Sequence, residues 1–149
     1  MKDYRTLLCF LASALMLLTL TPSCSEKNSD SNATATQKEA DTSAEEASAV
    51  ALKAYTALYN GRPERFVECC SQSKKFTGAY HDELLQGCRR HLVHVDTMRH
   101  GVTAVRVSKA QKNNSLGIVE VCLTLDYGNG TSEEILVPMV KTGGEWMIK

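Results

Sequence analysis

The stretch Leu116-Gly117-Ile118-Val119-Glu120-Val121-Cys122-Leu123-Thr124-Leu125-Asp126-Tyr127-Gly128-Asn129-Gly130 decides the fold. Val119, Val121, Leu123, Leu125 and Tyr127 point one way, and Glu120, Cys122, Thr124 and Asp126 the other. A side-chain period of two belongs to a strand with one buried face. Gly128-Asn129-Gly130 tolerates positive φ and predicts a hairpin turn. The chain then returns as Ser132 to Lys141. Pro138 lies inside that run and, lacking an amide donor, predicts an edge position or a bulge. Thr142-Gly143-Gly144 turns into a last strand, Glu145 to Lys149, with Trp146 and Ile148 on one face. Upstream, Val102 to Lys109 carries Val105 and Val107 between polar neighbours and supplies a fourth strand.

Working outward towards the N-terminus, the periodicity becomes helical. Ser43-Ala44-Glu45-Glu46 has the form of a capping box, and Ala47, Val50, Ala51, Ala54, Tyr55 and Leu58 follow at helical spacing. Asn60-Gly61 predicts the end of that helix, because glycine takes the left-handed cap conformation readily. Pro63 suits the first turn of a short helix through Cys70, with Phe66 and Val67 inward. A third helix is predicted from Ala79 to Val95, striped by Tyr80, Leu84, Cys88, Leu92 and Val95. Gly87 inside it costs about 1 kcal/mol relative to alanine. Helices followed by an antiparallel meander make an α+β fold. The expected architecture is N-terminal helices packed on a curved four-stranded antiparallel sheet, in one domain spanning 43–149.

The helix ending Tyr59-Asn60-Gly61 and the terminal Val137-Pro138-Met139-Val140-Lys141-Thr142-Gly143-Gly144-Glu145-Trp146-Met147-Ile148-Lys149 resemble the nuclear transport factor 2-like, cystatin-like superfamily. The likeness is strongest to small secreted members, bacterial lipoproteins of unassigned function among them. It implies that the first helix packs into the concave face of the sheet. It leaves function open, because the same fold carries enzymes, carriers and scaffolding modules.

Met1 to Cys24 sets an address. Lys2 and Arg5 precede an apolar run from Thr6 to Leu20, about fifteen residues, whereas a bilayer-spanning helix needs about twenty. That length and basic start predict a cleaved signal peptide, 1–23. Ser23-Cys24 after the run resembles the lipobox of bacterial lipoproteins, which makes Cys24 the expected lipidation site; ordinary signal peptidase cleavage near Ser23 to Ser25, leaving a free soluble protein, is the alternative. Leu20 stands four residues before the cysteine rather than the usual three. Ser25 to Thr42 holds no aromatic residue and no Val, Ile, Leu or Met, so 24–42 reads as a lipidated N-terminus and disordered linker. The localisation that follows is the cell envelope, on the periplasmic face or the cell surface.

Charge is balanced, 17 basic against 17 acidic residues, without the clustered basic excess of a nucleic-acid footprint. Asp96, His94, Tyr80 and Tyr127 are residue types that the superfamily's isomerases and dehydratases place in their cone. No spacing ties them into a base with its orienting partner, so no catalytic set is assigned. Cys69, Cys70, His81, Cys88, His91 and His94 cluster in sequence but lack the two short ligand pairs of a structural zinc site, so neither metal nor cofactor is expected. In an oxidising compartment Cys69, Cys70 and Cys88 are disulfide candidates, Cys69 or Cys70 reaching Cys88. Free buried thiols are the alternative. Tyr55, Tyr127 and Trp146 are the candidate pocket residues, with Trp146 as core filler beneath the first helix the plainer reading.

The function expected is a membrane-anchored envelope lipoprotein whose domain binds a small molecule or an envelope protein without catalysis. The alternatives are a small isomerase- or hydrolase-like enzyme using the cone, and a structural module forming a homodimer through the outer sheet face.

Overall fold

The computed structural model describes residues 31–149, with side chains from residue 42 onward. The expected signal peptide, Cys24 and the first residues of the expected linker lie outside the described residues. The order is α1 (Ser31–Tyr59), α2 (Pro63–Glu68), a single 3₁₀ turn (Ser73–Lys75), α3 (Gly78–Arg99), then β1 (Val102–Asn113), β2 (Ile118–Tyr127), β3 (Ser132–Thr142) and β4 (Glu145–Ile148). The four strands form one antiparallel sheet in the order β1-β2-β3-β4. This is the α+β meander that the sequence predicts.

Helix α1 starts at Ser31 rather than Ser43, so part of the expected linker has helical backbone. Ala33, Ala35, Gln37, Lys38, Glu39 and Ala40 are favourable or neutral helix formers, with no glycine or proline among residues 31–42. Once the apolar part of a helix is packed, extending it by such residues avoids a second nucleation. Its C-terminal end forms as expected. Gly61 has φ +74, its amide donates to the Leu58 carbonyl (3.0 Å), and the Arg62 amide donates to that of Ala57 (2.9 Å). That pair of bonds satisfies carbonyls a helix end would otherwise leave unpaired.

Ala47, Ala51 and Ala54 sit directly on Val119, Val121, Leu123, Val137 and Met139, with Ile148 closing the cluster. Three small residues on one helix face let the backbone of α1 approach the sheet closely. The five inward residues of β2 are all buried, as their alternation predicts. Pro138 corrects one expectation. It lies in β3, which is flanked by β2 and β4, so it is not in an edge strand. Its carbonyl accepts from the Lys149 amide (2.9 Å), just past the end of β4. The side of β3 that lacks an amide donor is therefore the side on which its neighbour is about to end.

Helix α3 begins with the Thr77 hydroxyl accepting from the Tyr80 amide (3.3 Å) and runs four residues past Val95. It stops at His100, held at φ +61. There it meets the β2–β3 hairpin: the Gly128 amide donates to the Gly101 carbonyl and that of Asn129 to the Arg99 carbonyl, both at 3.0 Å. A Cβ at Gly128 would collide with the His100 carbonyl. This backbone junction fixes one end of α3 to the sheet.

Candidate functional site

The aromatic residues of α1 lie at its C-terminal end, where the sheet is no longer covered by alanines. Tyr55 and Tyr59 are one turn apart, with ring centroids at 6.4 Å, and Tyr55 meets Phe66 of α2 edge-on at 5.1 Å. Rings of that size hold α2 and α3 away from β3. The result is a cleft of about 640 Å³ walled by Tyr55, Leu58, Tyr59 and Phe66 on one side, Leu84, Gly87 and Cys88 of α3 on another, and Ile135 of β3 at its base. Its volume falls within the roughly 300–1,000 Å³ range of small-molecule sites.

Polar groups gather at its rim. The Tyr59 hydroxyl and His91 Nε2 are 3.3 Å apart. Burial pushes the Tyr59 phenol far above its ordinary value, and neighbouring Tyr127, Tyr55 and Glu133 push it the same way. It is therefore a neutral hydrogen-bonding group at any physiological pH. Glu83 and Arg90 stand on α3 at the same rim. Outside the cleft, where β2 meets β3, the Tyr127 hydroxyl donates to Glu133 (3.0 Å), which also accepts from Arg99 (2.7 Å), and the Arg99 guanidinium lies over the Tyr127 ring at 4.4 Å.

Of the expected pocket residues, Tyr55 lines this cleft. Tyr127 and Trp146 do not. Tyr127 is buried against Val95 and Leu125, capped by Arg99. Trp146 packs on the α1 cluster, with Nε1 donating to Glu46 (3.1 Å) and Lys141 5.5 Å above the ring. The alternation that places both on the inner face of the sheet does not say which part of that face a helix covers. Tyr80 reaches the cleft, stacked edge-on against Phe76 at 4.9 Å, whereas His94 and Asp96 are exposed outside it.

Cys69, Cys70, Cys88 and Cys122 are free thiols, so the disulfide expected among the first three is not formed. Burial raises Cys69 and Cys88 and carries Cys70 up to about 11. Each is thus held as the protonated, weakly nucleophilic thiol near neutral pH. Among the described residues no group of three His, Cys, Asp or Glu side chains is placed to hold a metal ion. A second hollow, about 680 Å³, lies along another face of α1 beside α2. Its rim consists of Lys53, Arg62, Arg65 and Glu68, long side chains in solvent. It lacks the fixed aromatic walls and the hydrogen-bonded rim pair of the cleft, so the cleft is the better-formed site.

Sequence reasoning missed Tyr59, His91, Ile135 and the role of Gly87. The readable signal is the change along α1 from Ala47, Ala51 and Ala54 to Tyr55 and Tyr59, small side chains giving way to large ones on the inward side.

No family model matches the chain, and no curated protein matches it. Among solved structures, a Campylobacter jejuni protein carrying the provisional name NTF2-like transpeptidase is similar at 15% identity with a TM-score of 0.53. The match covers 66% of this chain and 92% of that one. At that identity the likeness establishes architecture: the domain has the nuclear transport factor 2-like fold, with helices packed on a four-stranded antiparallel sheet.

Proposed function

We propose that this chain is a lipoprotein of the bacterial envelope, acylated at Cys24, whose domain binds a small molecule in the cleft without converting it. The observation that carries the reading is a largely apolar cleft walled by Tyr55, Tyr59 and Phe66, with the Tyr59–His91 pair, Glu83 and Arg90 at its rim. Such a combination provides affinity through apolar burial and orientation through a few polar contacts. The cleft's thiol is protonated and Tyr59 is neutral, so neither is an activated nucleophile or base. Purified mature protein screened against a broad small-molecule library should show melting temperatures that rise with ligand concentration. A library with no such compound overturns the reading. For the anchor, the intact mass of protein extracted from native membranes should equal the chain from Cys24 plus acyl groups. A chain that still begins at Met1, or one without acyl groups, removes the envelope assignment.

Two observations favour other readings. The Tyr59–His91 contact at the cleft rim is the kind of pair an isomerase or hydrolase would use, and the similar Campylobacter protein is named for transpeptidation. Turnover lost on His91→Ala would establish an enzyme. Leu136 is 63% exposed on the outer sheet face beside half-buried Pro138 and Val140, which suits a second copy of the chain. Sedimentation that shows a dimer, abolished by Leu136→Glu, would establish that module.

A further inference from the structure

Gly87 is the least explained residue of the cleft. It lies in the middle of α3, where glycine is among the poorest helix formers. Its φ is not positive, so the backbone conformation does not require it. Packing does not require it either, since an added Cβ would meet only Arg90 Nη2, at 4.0 Å. What Gly87 does provide is a stretch of helix backbone without a side chain on the cleft wall, bordered by the Arg90 guanidinium and sharing the cleft with Tyr55, Phe66 and Ile135.

The charges on that wall are polarised. Glu83 stands one turn before Gly87, and Arg90 one turn after it. Their Cα atoms are seven residues apart, about 10 Å along the axis, and their charged groups form no ion pair. Arg65, Arg89, Arg99 and Arg106 are each paired with a carboxylate. Arg90 has no carboxylate partner among the described residues, and neither does Glu83 have a cationic one. The Tyr59–His91 pair lies at the Arg90 end. From Tyr80 to His91 the cleft runs along α3 for about 16 Å at the usual helical rise.

Resting on the small-molecule reading above, we propose that the ligand is an elongated monocarboxylate amphiphile. Its apolar body lies flush on α3 at Gly87, and its carboxylate is held at Arg90 beside Tyr59 and His91. The Glu83 charge repels a carboxylate from the opposite end and so sets the direction of binding. A guanidinium can engage both carboxylate oxygens at once, which a neutral or cationic head group does not offer.

The test uses mature protein in phosphatidylcholine nanodiscs, with melting followed by circular dichroism and empty nanodiscs as the blank. The probes are decanoate, decanol and decylamine, equal chains with different heads. Decanoate should raise the melting temperature more than decanol does, and decylamine least. Arg90→Gln should weaken decanoate by about tenfold, the loss of one charge-assisted contact, and bring it level with decanol. Gly87→Leu fills the bare patch and should remove the decanoate and decanol shifts together. Gly87→Ala, whose unliganded melting temperature should rise, keeps the test decisive if the leucine variant fails to fold: its decanoate shift should shrink while the protein becomes more stable. Undiminished shifts in the Gly87 variants overturn the docking on α3. Equal shifts for decanoate and decanol in the parent protein overturn the carboxylate head. If library compounds bind but none of the three probes does, this inference alone fails. If nothing binds at all, the small-molecule reading fails with it.

Discussion

Leu123 and Ile135 are paired across β2 and β3 and point to the same side of the sheet. Leu123 is fully buried, while Ile135 borders an open cleft. The two residues differ only in what covers them. Over Leu123 and its neighbours lies the alanine face of α1, close enough to exclude everything else. Over Ile135 stand Tyr55, Phe66 and the wall of α3, held off by their own rings. One concave surface is thus divided into a sealed half and an open half, and helix side-chain size sets the division. Buried apolar area is concentrated in the first half, and the proposed binding site lies in the second.

The largest expected effect breaks the sealed half. Leu123→Ala should cost about 2–5 kcal/mol in urea unfolding, the usual range for truncating a fully buried aliphatic side chain. Ile135→Ala, already partly in contact with solvent, should cost about 1–2 kcal/mol. Equal costs would mean that the cleft is closed in solution.

Next in size are two substitutions that enlarge small residues. Ala51→Leu forces α1 off the sheet and should destabilise by about 1–3 kcal/mol through overpacking. Gly128→Ala drives a Cβ into the His100 carbonyl and should cost a similar amount, about 1–3 kcal/mol. It acts on the junction that sets the position of α3, so ligand-induced thermal shifts should fall as well. A Gly128→Ala protein of unchanged stability would show that the hairpin and α3 are not locked together.

The smallest effect is a pH dependence at the boundary between the halves. Cys70, whose Sγ lies 3.8 Å from the Phe66 carbonyl, is raised from 9.0 to about 11, chiefly by burial and then by neighbouring Cys69 and Cys88. The folded chain therefore holds the thiol proton more tightly than the unfolded chain does. That contribution is complete below pH 9 and is lost as pH rises through about 11. Urea midpoints should fall over that window, and Cys70→Ala should flatten part of the fall. Cys69, Cys88, Tyr55, Tyr59 and Tyr127 shift in the same direction and contribute to the remainder. An identical slope in Cys70→Ala would place that thiol at its ordinary value.

The sealed half is legible in the sequence because both partners carry periodic patterns. The alternation from Val119 to Tyr127 and the alanine spacing of α1 each name a buried face, and those faces meet. The Schellman end at Gly61 and the hairpin closed by Gly130 are legible because positive φ at those two positions favours glycine, whereas Gly128 answers to the His100 carbonyl, a tertiary contact. The open half is less legible. It arises from three aromatic residues on two helices acting together on a third, and no local pattern records that distance. Tyr127 and Trp146 have the correct face but the wrong half, since burial under α1 or Arg99 is a tertiary outcome. The start of α1 at Ser31 is not legible, because low apolar content argues against independent folding, not against extension of a helix already packed.

The most direct measurement is a two-dimensional amide NMR titration of the mature, isotopically labelled protein with decanoate. The account predicts shifts that saturate at Tyr55, Tyr59, Leu84, Gly87, His91 and Ile135, with Val121 and Leu123 unmoved. Perturbation confined to the outer face around Leu136, or spread evenly across the sealed core, would contradict it.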